Sequence, residues 1–379
     1  MTPDTLYLDH AATTRVRPEV REAMAPFLGD AFGNPSSGHA AGRRARQALE
    51  HARERVAAIL EAESPSEIVF TGGGTEADNL AVLGRWRADG GGVAISAVEH
   101  SAVRRSAARA SVEGAALTTL AVDERGQLDT GALEEALAQP LAVVSVMWAN
   151  NEVGSIQPVR RVAELCREKG AVFHTDAVQA VGHLPVSVRD VPCDLLALSA
   201  HKFGGPRGAG VLYVRDGTRL EPLLYGGGQE RGLRAGTSNV AGAVGLAEAL
   251  DRAARDRARE ADRLGRLRDE LERKIKDAVD GAVVNGVGGP RLPHVLSVSL
   301  PGLALDVLLS ALDLAGVAVS AGSACHSGAS APSPVLVAMG RGDAPAVRFS
   351  LGWSTTADEV DRAAARFLEV VDRVRAVAL

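Results

Sequence analysis

The chain has 379 residues, of which 46% are hydrophobic and 23% are charged, and its formal net charge at pH 7 is −5. This length allows a large buried core and more than one lobe. The acidic balance offers no basic surface for nucleic acid, and no segment approaches the roughly 20 apolar residues of a membrane-spanning helix. The three cysteines are too far apart for a disulfide framework or a paired-cysteine metal site. We therefore expect a cytoplasmic protein that binds no metal, no nucleic acid and no membrane.

Short apolar runs alternate with helical patterns between about residues 40 and 215. A helical pattern covers 42–62 and another follows the first apolar run. The apolar runs are 68–70, 93–95, 141–147, 171–173, 195–198 and 211–213. This alternation predicts an α/β fold with a mostly parallel sheet. Ligands of such sheets lie beyond the carboxyl ends of the strands, so the residues after each run are the first candidates for a site.

The rest of the chain predicts a second, smaller α/β lobe. One long charged helical pattern covers 244–280, and its charges are those of a solvated face. Further strand-like runs lie at 295–300, 317–319 and 347–349. An amphipathic helix is predicted over 358–377. The long helix would connect the two lobes.

These patterns predict two domains. The large domain would comprise residues 14–255. The small domain would comprise 1–13 and 256–379, and residues at about 320–334, nearly all of them small, would form a mobile loop within it.

Lys202 follows the apolar run 195–198 in the sequence Ser-Ala-His-Lys, with two glycines shortly after it. A lysine held at the end of a buried strand is suited to form a Schiff base with a carbonyl compound. The prime candidate is pyridoxal 5'-phosphate (PLP), which performs carbanion chemistry that side chains alone cannot. The alternative is a lysine that only meets solvent, and the polar residues after the other strands favour the cofactor.

Two other strand ends offer groups for such a cofactor. Gly72–Gly74 and Thr75 precede a helical pattern and could cradle a phosphate, although a tight connection would have the same sequence. Asp176 could pair with the ring nitrogen of PLP, or it could cap a helix. Gln179, three residues later, could donate to the phenolic oxygen of the ring.

The strands that end near residues 95 and 147 add His100 and Asn151. His100 could stack on the ring and relay protons, whereas an isolated loop histidine usually has no such role. The amide of Asn151 could bind the phenolic oxygen, or it could only close a turn. Both interpretations depend on the neighbouring candidates.

Cys325 differs from the other two cysteines in its surroundings. It lies among Gly, Ser and Ala residues, next to His326, and this setting fits an exposed thiol that reaches a pocket, reacts and leaves again. Cys166 lies in a helical pattern and Cys193 precedes an apolar strand. Both are predicted to be inert positions of the core.

Together these motifs resemble the NifS/IscS-like group of cysteine desulfurases, PLP-dependent enzymes of fold type I in the class V aminotransferase family. The resemblance runs almost end to end. In chain order its motifs are YLDHAATT, FGNPSS, FTGGGTEADN, EH, ANNEVG, HTDAVQAVG, SAHKFGGPRGAG, GGGQERGLRAGTSN, SAGSAC and VRFSLG. It implies a large domain with a mostly parallel sheet of seven strands and a smaller α/β domain. The SAGSAC motif is similar to that of members whose cysteine lies on a long mobile loop.

The resemblance implies roles around the ring of PLP. Lys202 would hold the cofactor as a Schiff base and would act as the base. Asp176 would pair with the ring nitrogen, and Gln179 and Asn151 would lie beside the phenolic oxygen. His100 would stack over the ring.

It also implies how the phosphate is bound. Gly74, Thr75, Ser199 and His201 would bind the phosphate within one subunit. Thr237 would reach the phosphate of the neighbouring subunit, which implies a homodimer.

The implied reaction converts L-cysteine to L-alanine. Asn34 and Arg348 would bind the carboxylate of the substrate, and Cys325 would take the sulfur as a persulfide for transfer to a protein acceptor. Iron–sulfur cluster assembly, transfer-RNA thiolation and DNA phosphorothioation all draw on this chemistry, and the sequence does not distinguish them. Trp353 and His326 depart from the usual pattern, which leaves the acceptor and the loop open.

Two alternatives stay open. A selenocysteine lyase or another class V transferase would not need Cys325. A sulfur-transfer scaffold would keep the pocket but turn over slowly by itself.

Overall fold

The computed structural model of the chain describes residues 4–322, 332–342 and 345–378. Cys325 and His326 lie outside these ranges. No helix within them combines the length and the apolar character that crossing a membrane requires.

Strands and helices alternate through the first 214 residues. The elements are β1 (Leu6–Tyr7), α1 (Pro18–Leu28), α2 (Ala40–Leu60), β2 (Ile68–Thr71), α3 (Gly74–Asn79), α4 (Arg85–Asp89), β3 (Gly92–Ser96), α5 (Ser101–Val112), β4 (Leu117–Leu120), α6 (Thr130–Ala136), β5 (Leu141–Ser145), α7 (Val159–Lys169), β6 (Val172–Asp176), β7 (Leu195–Ser199) and β8 (Gly210–Val214). The six strands predicted for this region are present. The sequence did not predict β4, because its first three residues are exposed and only Leu120 is buried.

Seven strands form the main sheet in the order β2-β8-β7-β6-β5-β3-β4. Strand β8 is antiparallel to both of its neighbours, and every other neighbouring pair is parallel. The prediction of a mostly parallel seven-stranded sheet is therefore confirmed. The strand order reverses between β5 and β3, and in open α/β sheets such a reversal opens a crevice at the carboxyl ends of the strands.

The helix predicted after β2 is present, but it is not a regular α-helix. It starts at Gly74 and contains a π-helical turn at Leu80–Gly84 between α3 and α4. A Cβ atom on Gly84 would lie 2.7 Å from the carbonyl oxygen of Glu221. The absence of a side chain therefore lets the helix approach a neighbouring backbone closely at this turn.

The second part of the chain is joined to the first by one long helix. Its elements are α8 (Val240–Ala278), β9 (Val283–Val284), β10 (Val295–Ser299), α9 (Leu305–Leu314), β11 (Val317–Ala318), α10 (Pro334–Ala338), β12 (Ala346–Ser350) and α11 (Ala357–Ala378). The predicted long helix is confirmed, and it begins earlier than predicted because the Asn239 side chain accepts a hydrogen bond from the Gly242 amide at 2.9 Å. Strands β9, β10 and β12 form an antiparallel sheet, and β1 pairs with β11.

The two halves of this long helix pack into two different hydrophobic cores. Leu250 of α8 belongs to the core around the main sheet, and Leu271 of the same helix belongs to the second core. Leu6, from the start of the chain, also packs into the second core. The rings of Phe349 and Phe367 meet there edge to face, with centroids 5.2 Å apart. Helix α8 thus contributes to both cores.

Candidate active site

A cavity of about 290 Å³ lies beyond the carboxyl ends of β3, β5, β6 and β7. This is the edge of the sheet at which the sequence predicted a site. Its lining includes ten of the predicted site residues, namely Gly74, Thr75, His100, Asn151, Asp176, Gln179, Ser199, His201, Lys202 and Arg348. Residues that are up to 274 positions apart in the sequence therefore share one space.

The glycine-rich turn after β2 forms one wall of the cavity. Gly73 has a φ of 152°, which favours glycine. A Cβ atom on Gly74 would lie 2.8 Å from Cγ2 of Val178 and 3.5 Å from Cβ of Ser199. The backbone of this turn is therefore close to the end of β7, and Thr75 follows it on the same wall.

The amine of Lys202 is held by the N-terminal segment. Its Nζ donates to the carbonyl oxygens of Ala11 at 2.6 Å and Ala12 at 2.8 Å. The Nε2 of Gln179 donates to the same Ala11 oxygen at 2.9 Å. Ala11 and Ala12 lie far from Lys202 in the sequence, so the tertiary fold fixes the position of this amine.

Asp176 is the last residue of β6 and is 5% exposed. Its Oδ1 accepts a hydrogen bond from the Val178 amide at 2.9 Å. Residues 177–194, all of them within the described part of the chain, contain turns and no helix, so Asp176 does not cap one. Burial raises the pKa of its carboxyl group, and the nearby His100 and Lys202 oppose that shift.

His100 precedes α5 and points its ring into the cavity lining. Its Nδ1 accepts a hydrogen bond from the Ala102 amide at 3.2 Å, which places the proton of the neutral ring on Nε2. Burial lowers the pKa of this imidazole. His201 faces the same cavity, and burial lowers the pKa of its ring to about 4. Both rings are therefore neutral at pH 7 in this structure.

The lining also contains two acidic residues to which the sequence assigned no role. Asp78 of α3 is 1% exposed and Glu99 is 2% exposed. The Oε1 of Glu99 accepts from the Ser96 hydroxyl at 2.6 Å and from the Met147 amide at 2.7 Å. Burial raises the pKa of Glu99 to about 8 and raises that of Asp78 as well. Asp78 lies in the motif FTGGGTEADN and Glu99 in the motif EH, but neither motif assigned a role to its acid. Arg104 of α5 gave no sequence signal.

Arg348 of β12 brings the second sheet to the cavity. It is 2% exposed, and its Nη1 donates to the carbonyl oxygens of Asn151 at 2.8 Å and Gly322 at 2.9 Å. Its Nη2 donates to Oδ1 of Asp9 at 2.8 Å. Within the described ranges its Nε has no hydrogen-bond partner.

Three predicted site residues do not lie in this lining as described. Asn34 is exposed, and its Oδ1 accepts from the Ser36 amide at 2.9 Å. Thr237 lines a different cavity of about 180 Å³, beside Gly72 and Arg234. Cys325 lies outside the described residues.

Comparison with known proteins places this chain among well-defined relatives. The sequence profile of the family described as Aminotransferase class-V matches residues 6–363. A relative named Cysteine desulfurase IscS, from Dictyoglomus turgidum, is 42% identical over 98% of this chain and 96% of its own length. A solved structure titled "NIFS-LIKE PROTEIN" is 36% identical with a TM-score of 0.90, over 97% of this chain and 100% of the other. Another, titled "SspA in complex with cysteine", is 34% identical with a TM-score of 0.79, over 91% and 98%.

Proposed function

Because the chain belongs to the class V aminotransferase family, we propose that it is a PLP-dependent cysteine desulfurase. It would convert L-cysteine to L-alanine and pass the sulfur to an acceptor as a persulfide on Cys325. The observation that carries this proposal is the placement of Lys202 and Asp176 in one cavity at neighbouring strand ends. Relatives named as cysteine desulfurases match nearly the whole chain.

The groups that line the cavity fit PLP. An aldehyde needs an amine, a pyridine nitrogen needs an acid, and a phosphate needs donors beside a backbone without side chains. Lys202 supplies the amine, Asp176 supplies the acid, and the glycine-rich turn at Gly74 supplies the phosphate site. When bound, PLP supplies an electron-withdrawing ring that stabilises a carbanion beside the amino group of the substrate.

We assign a role to each residue around the ring. The Nζ of Lys202 would take the proton from the α-carbon of the substrate. The carboxylate of Asp176 keeps a proton on the ring nitrogen. His100 would stack on the ring, and the amides of Gln179 and Asn151 would donate to the phenolic oxygen. The Ala11 carbonyl, which accepts from both Lys202 and Gln179, sets these two residues relative to each other.

Other residues of the cavity would bind the phosphate and the substrate carboxylate. Gly74, Thr75, Ser199 and His201 bind the phosphate, and the buried guanidinium of Arg348 binds the carboxylate. The position of Arg348 in the cavity lining supports this assignment. Asn34 would join Arg348 only if its exposed segment approaches the cavity.

Cys325 acts as the nucleophile toward sulfur. The described residues on both sides of it support this role, because Gly322 and Val335 line the cavity. The thiolate of Cys325 attacks the sulfur of the substrate and a sulfur–sulfur bond forms. The bond between sulfur and the β-carbon breaks, its electron pair stays with the carbon, and protonation of that carbon leads to alanine.

The assembly that we infer is a homodimer in the cytoplasm. Thr237 would reach the phosphate of the partner subunit, which is supported by its position in a second cavity apart from Lys202 of its own chain. The large domain would comprise residues 14–255 and the small domain 1–13 and 256–379, consistent with the two cores. The sulfur acceptor is a protein that the geometry does not identify.

The proposal is tested by the products formed from L-cysteine. Protein loaded with PLP and given a thiol reductant should release L-alanine and sulfide in equal amounts, both measured in the same samples over time. Release of pyruvate and ammonia in place of alanine, or alanine without sulfide, would contradict a desulfurase.

A further inference from the structure

Asp78 is a buried acid near Asp176, and the proposed reaction assigns it no role. Asp78 of α3 lines the cavity, and its Oδ1 lies 3.6 Å from Nε2 of His174, which is fully buried. Within the described ranges neither of these two atoms has a hydrogen-bond partner. Buried polar atoms are rarely left without a partner, so we expect these two atoms to approach to hydrogen-bond distance with one proton between them.

His174 connects this contact to the site. It lies two residues before Asp176 on β6, so both side chains are on the same face of the sheet. Its Nδ1 lies 2.8 Å from Oγ of Ser145. Burial lowers the pKa of His174 to about 3, so the ring is neutral and has one donor and one acceptor nitrogen.

The charges around Asp78 determine which partner holds the proton. The titratable and charged groups that contact it or share its cavity are Glu99, His100, Arg104, Glu152, His174, Asp176, His201, Lys202 and Arg348. Ligand atoms of Asp78, His100 and Asp176 lie within 4.8 Å of one another. If Asp78 were ionised, two carboxylates would repel each other at short range in a buried site. A neutral Asp78 avoids this, and its hydroxyl can donate to Nε2 while the Nδ1 proton is donated to Ser145.

We propose that Asp78 is a positioning residue. Its carboxyl group stays protonated and donates a hydrogen bond to Nε2 of His174, so that Asp176 is the ionised carboxylate that faces the ring nitrogen. This inference rests on the proposed function. It assigns to the carboxyl of Asp78 the role of a neutral hydrogen-bond donor, with no direct contact to the substrate.

The test compares two substitutions in the PLP-loaded protein. In Asp78→Asn the amide still donates to His174 and has no charge. We expect its affinity for PLP to stay within about twofold of the native value, and the pKa read from the cofactor's visible absorption to stay within roughly 0.3 unit. Asp78→Leu removes the donor and should weaken PLP binding about tenfold, since His174 then lacks its partner.

The results that would overturn the inference are distinct. A fall of about one unit or more in the pKa of the absorption band of Asp78→Asn would show that native Asp78 carries a charge. Native affinity in a folded Asp78→Leu would show that the donor is not needed. If Asp78→Leu does not fold, the pKa of the absorption band of Asp78→Asn is the deciding measurement.

Two further measurements, on Asp176→Asn and on the native protein, distinguish a failure of this inference from a failure of the proposed function. Asp176→Asn removes the charge assigned to the ring nitrogen, so it should shift the band and weaken PLP binding where Asp78→Asn does neither. If Asp176→Asn leaves both unchanged, the inference fails. A native protein without any cofactor band would overturn the proposed function, and this inference with it.

Discussion

The amine of Lys202 is positioned by two carbonyl oxygens of the N-terminal segment. Both contacts orient Nζ toward the cavity that holds Asp176 and His100. A lysine held in this way loses little conformational freedom when it forms a bond to a bound aldehyde. The reactivity of this residue therefore depends on residues 11 and 12 as much as on the strand that it follows.

Removing the amine should abolish both the covalent bond and the proton transfer. We expect Lys202→Ala to lose the visible absorption of the bound cofactor's Schiff base and at least about a hundredfold of the rate of alanine formation. Lys169→Ala, which changes an exposed lysine at the end of α7, is the matched control and should behave as the native protein. An active Lys202→Ala would exclude this lysine as the base.

Glu99 predicts a pH-dependent stability. Burial raises the pKa of its carboxyl from the usual 4.5 to about 8, so the folded state keeps a proton that the unfolded chain loses. Its stabilising effect is present below pH 4.5 and is lost as the pH rises toward 8. Glu99→Gln keeps an acceptor for Ser96 and Met147 but cannot ionise.

The measurement is thermal unfolding of the cofactor-free native and Glu99→Gln proteins at several pH values. The Gln variant should gain stability relative to the native protein between pH 4.5 and 8, by an amount on the order of a few kcal/mol. A gain that does not grow as the pH rises from 4.5 to 8 would mean that Glu99 ionises in the folded protein as readily as in the unfolded chain.

Among the elements, the glycine-rich turn and strand β8 depend on each other. A Cβ atom on Gly210 of β8 would lie 2.6 Å from Cα and the carbonyl carbon of Gly73 and 2.8 Å from Oγ1 of Thr71. Because the contacted atoms belong mainly to backbone, they cannot move aside by a change of rotamer. The turn that is proposed to hold the phosphate is therefore set by the neighbouring strand.

Gly210→Ala should destabilise the protein by about 1–3 kcal/mol through overpacking and should weaken PLP binding, because it displaces the turn. Gly265→Ala is the control. Gly265 lies within α8, where a Cβ atom would meet only Pro293 at 4.0 Å, and the substitution should stabilise the helix by about 0.5–1 kcal/mol. Thermal unfolding and PLP titration of both variants check this. Equal behaviour of the two would show that close contact at Gly210 is not limiting.

For the whole molecule, the inferred homodimer places Thr237 of one subunit at the cofactor of the other. Thr237→Val removes only the hydroxyl and should weaken PLP binding, while Lys202→Ala removes the Schiff base. A mixed dimer of the two variants has one site with both residues intact, because the Lys202→Ala chain supplies Thr237 to the Thr237→Val chain.

We therefore expect mixing of the two variants, after dissociation and reassembly, to restore native PLP affinity at one site per dimer. Each variant by itself should show none of this recovery. No recovery in mixtures that sedimentation shows to be dimeric would exclude the contribution across the interface.

The sequence predicted most of the sheet because buried strands are short apolar runs between turn residues. It also predicted the residues after those strands, since strand ends converge at one edge. It did not predict β4, whose residues are mostly exposed, or the acids Asp78 and Glu99, because burial of a charged residue depends on packing from distant elements. The sequence also did not predict the hydrogen bonds from Lys202 to Ala11 and Ala12, because they join segments about 190 residues apart.

The central claim is that sulfur leaves the substrate on Cys325. Burial raises the pKa of both Cys166 and Cys193 to about 12, so neither thiol is a competing nucleophile at neutral pH. The most direct test gives L-cysteine, without reductant, to PLP-loaded native and Cys325→Ala proteins and measures alanine and peptide masses. We predict about one alanine per site and one added sulfur atom on Cys325 in the native protein, and neither in a variant that keeps its cofactor band. Alanine formation by Cys325→Ala at the native rate would contradict the account.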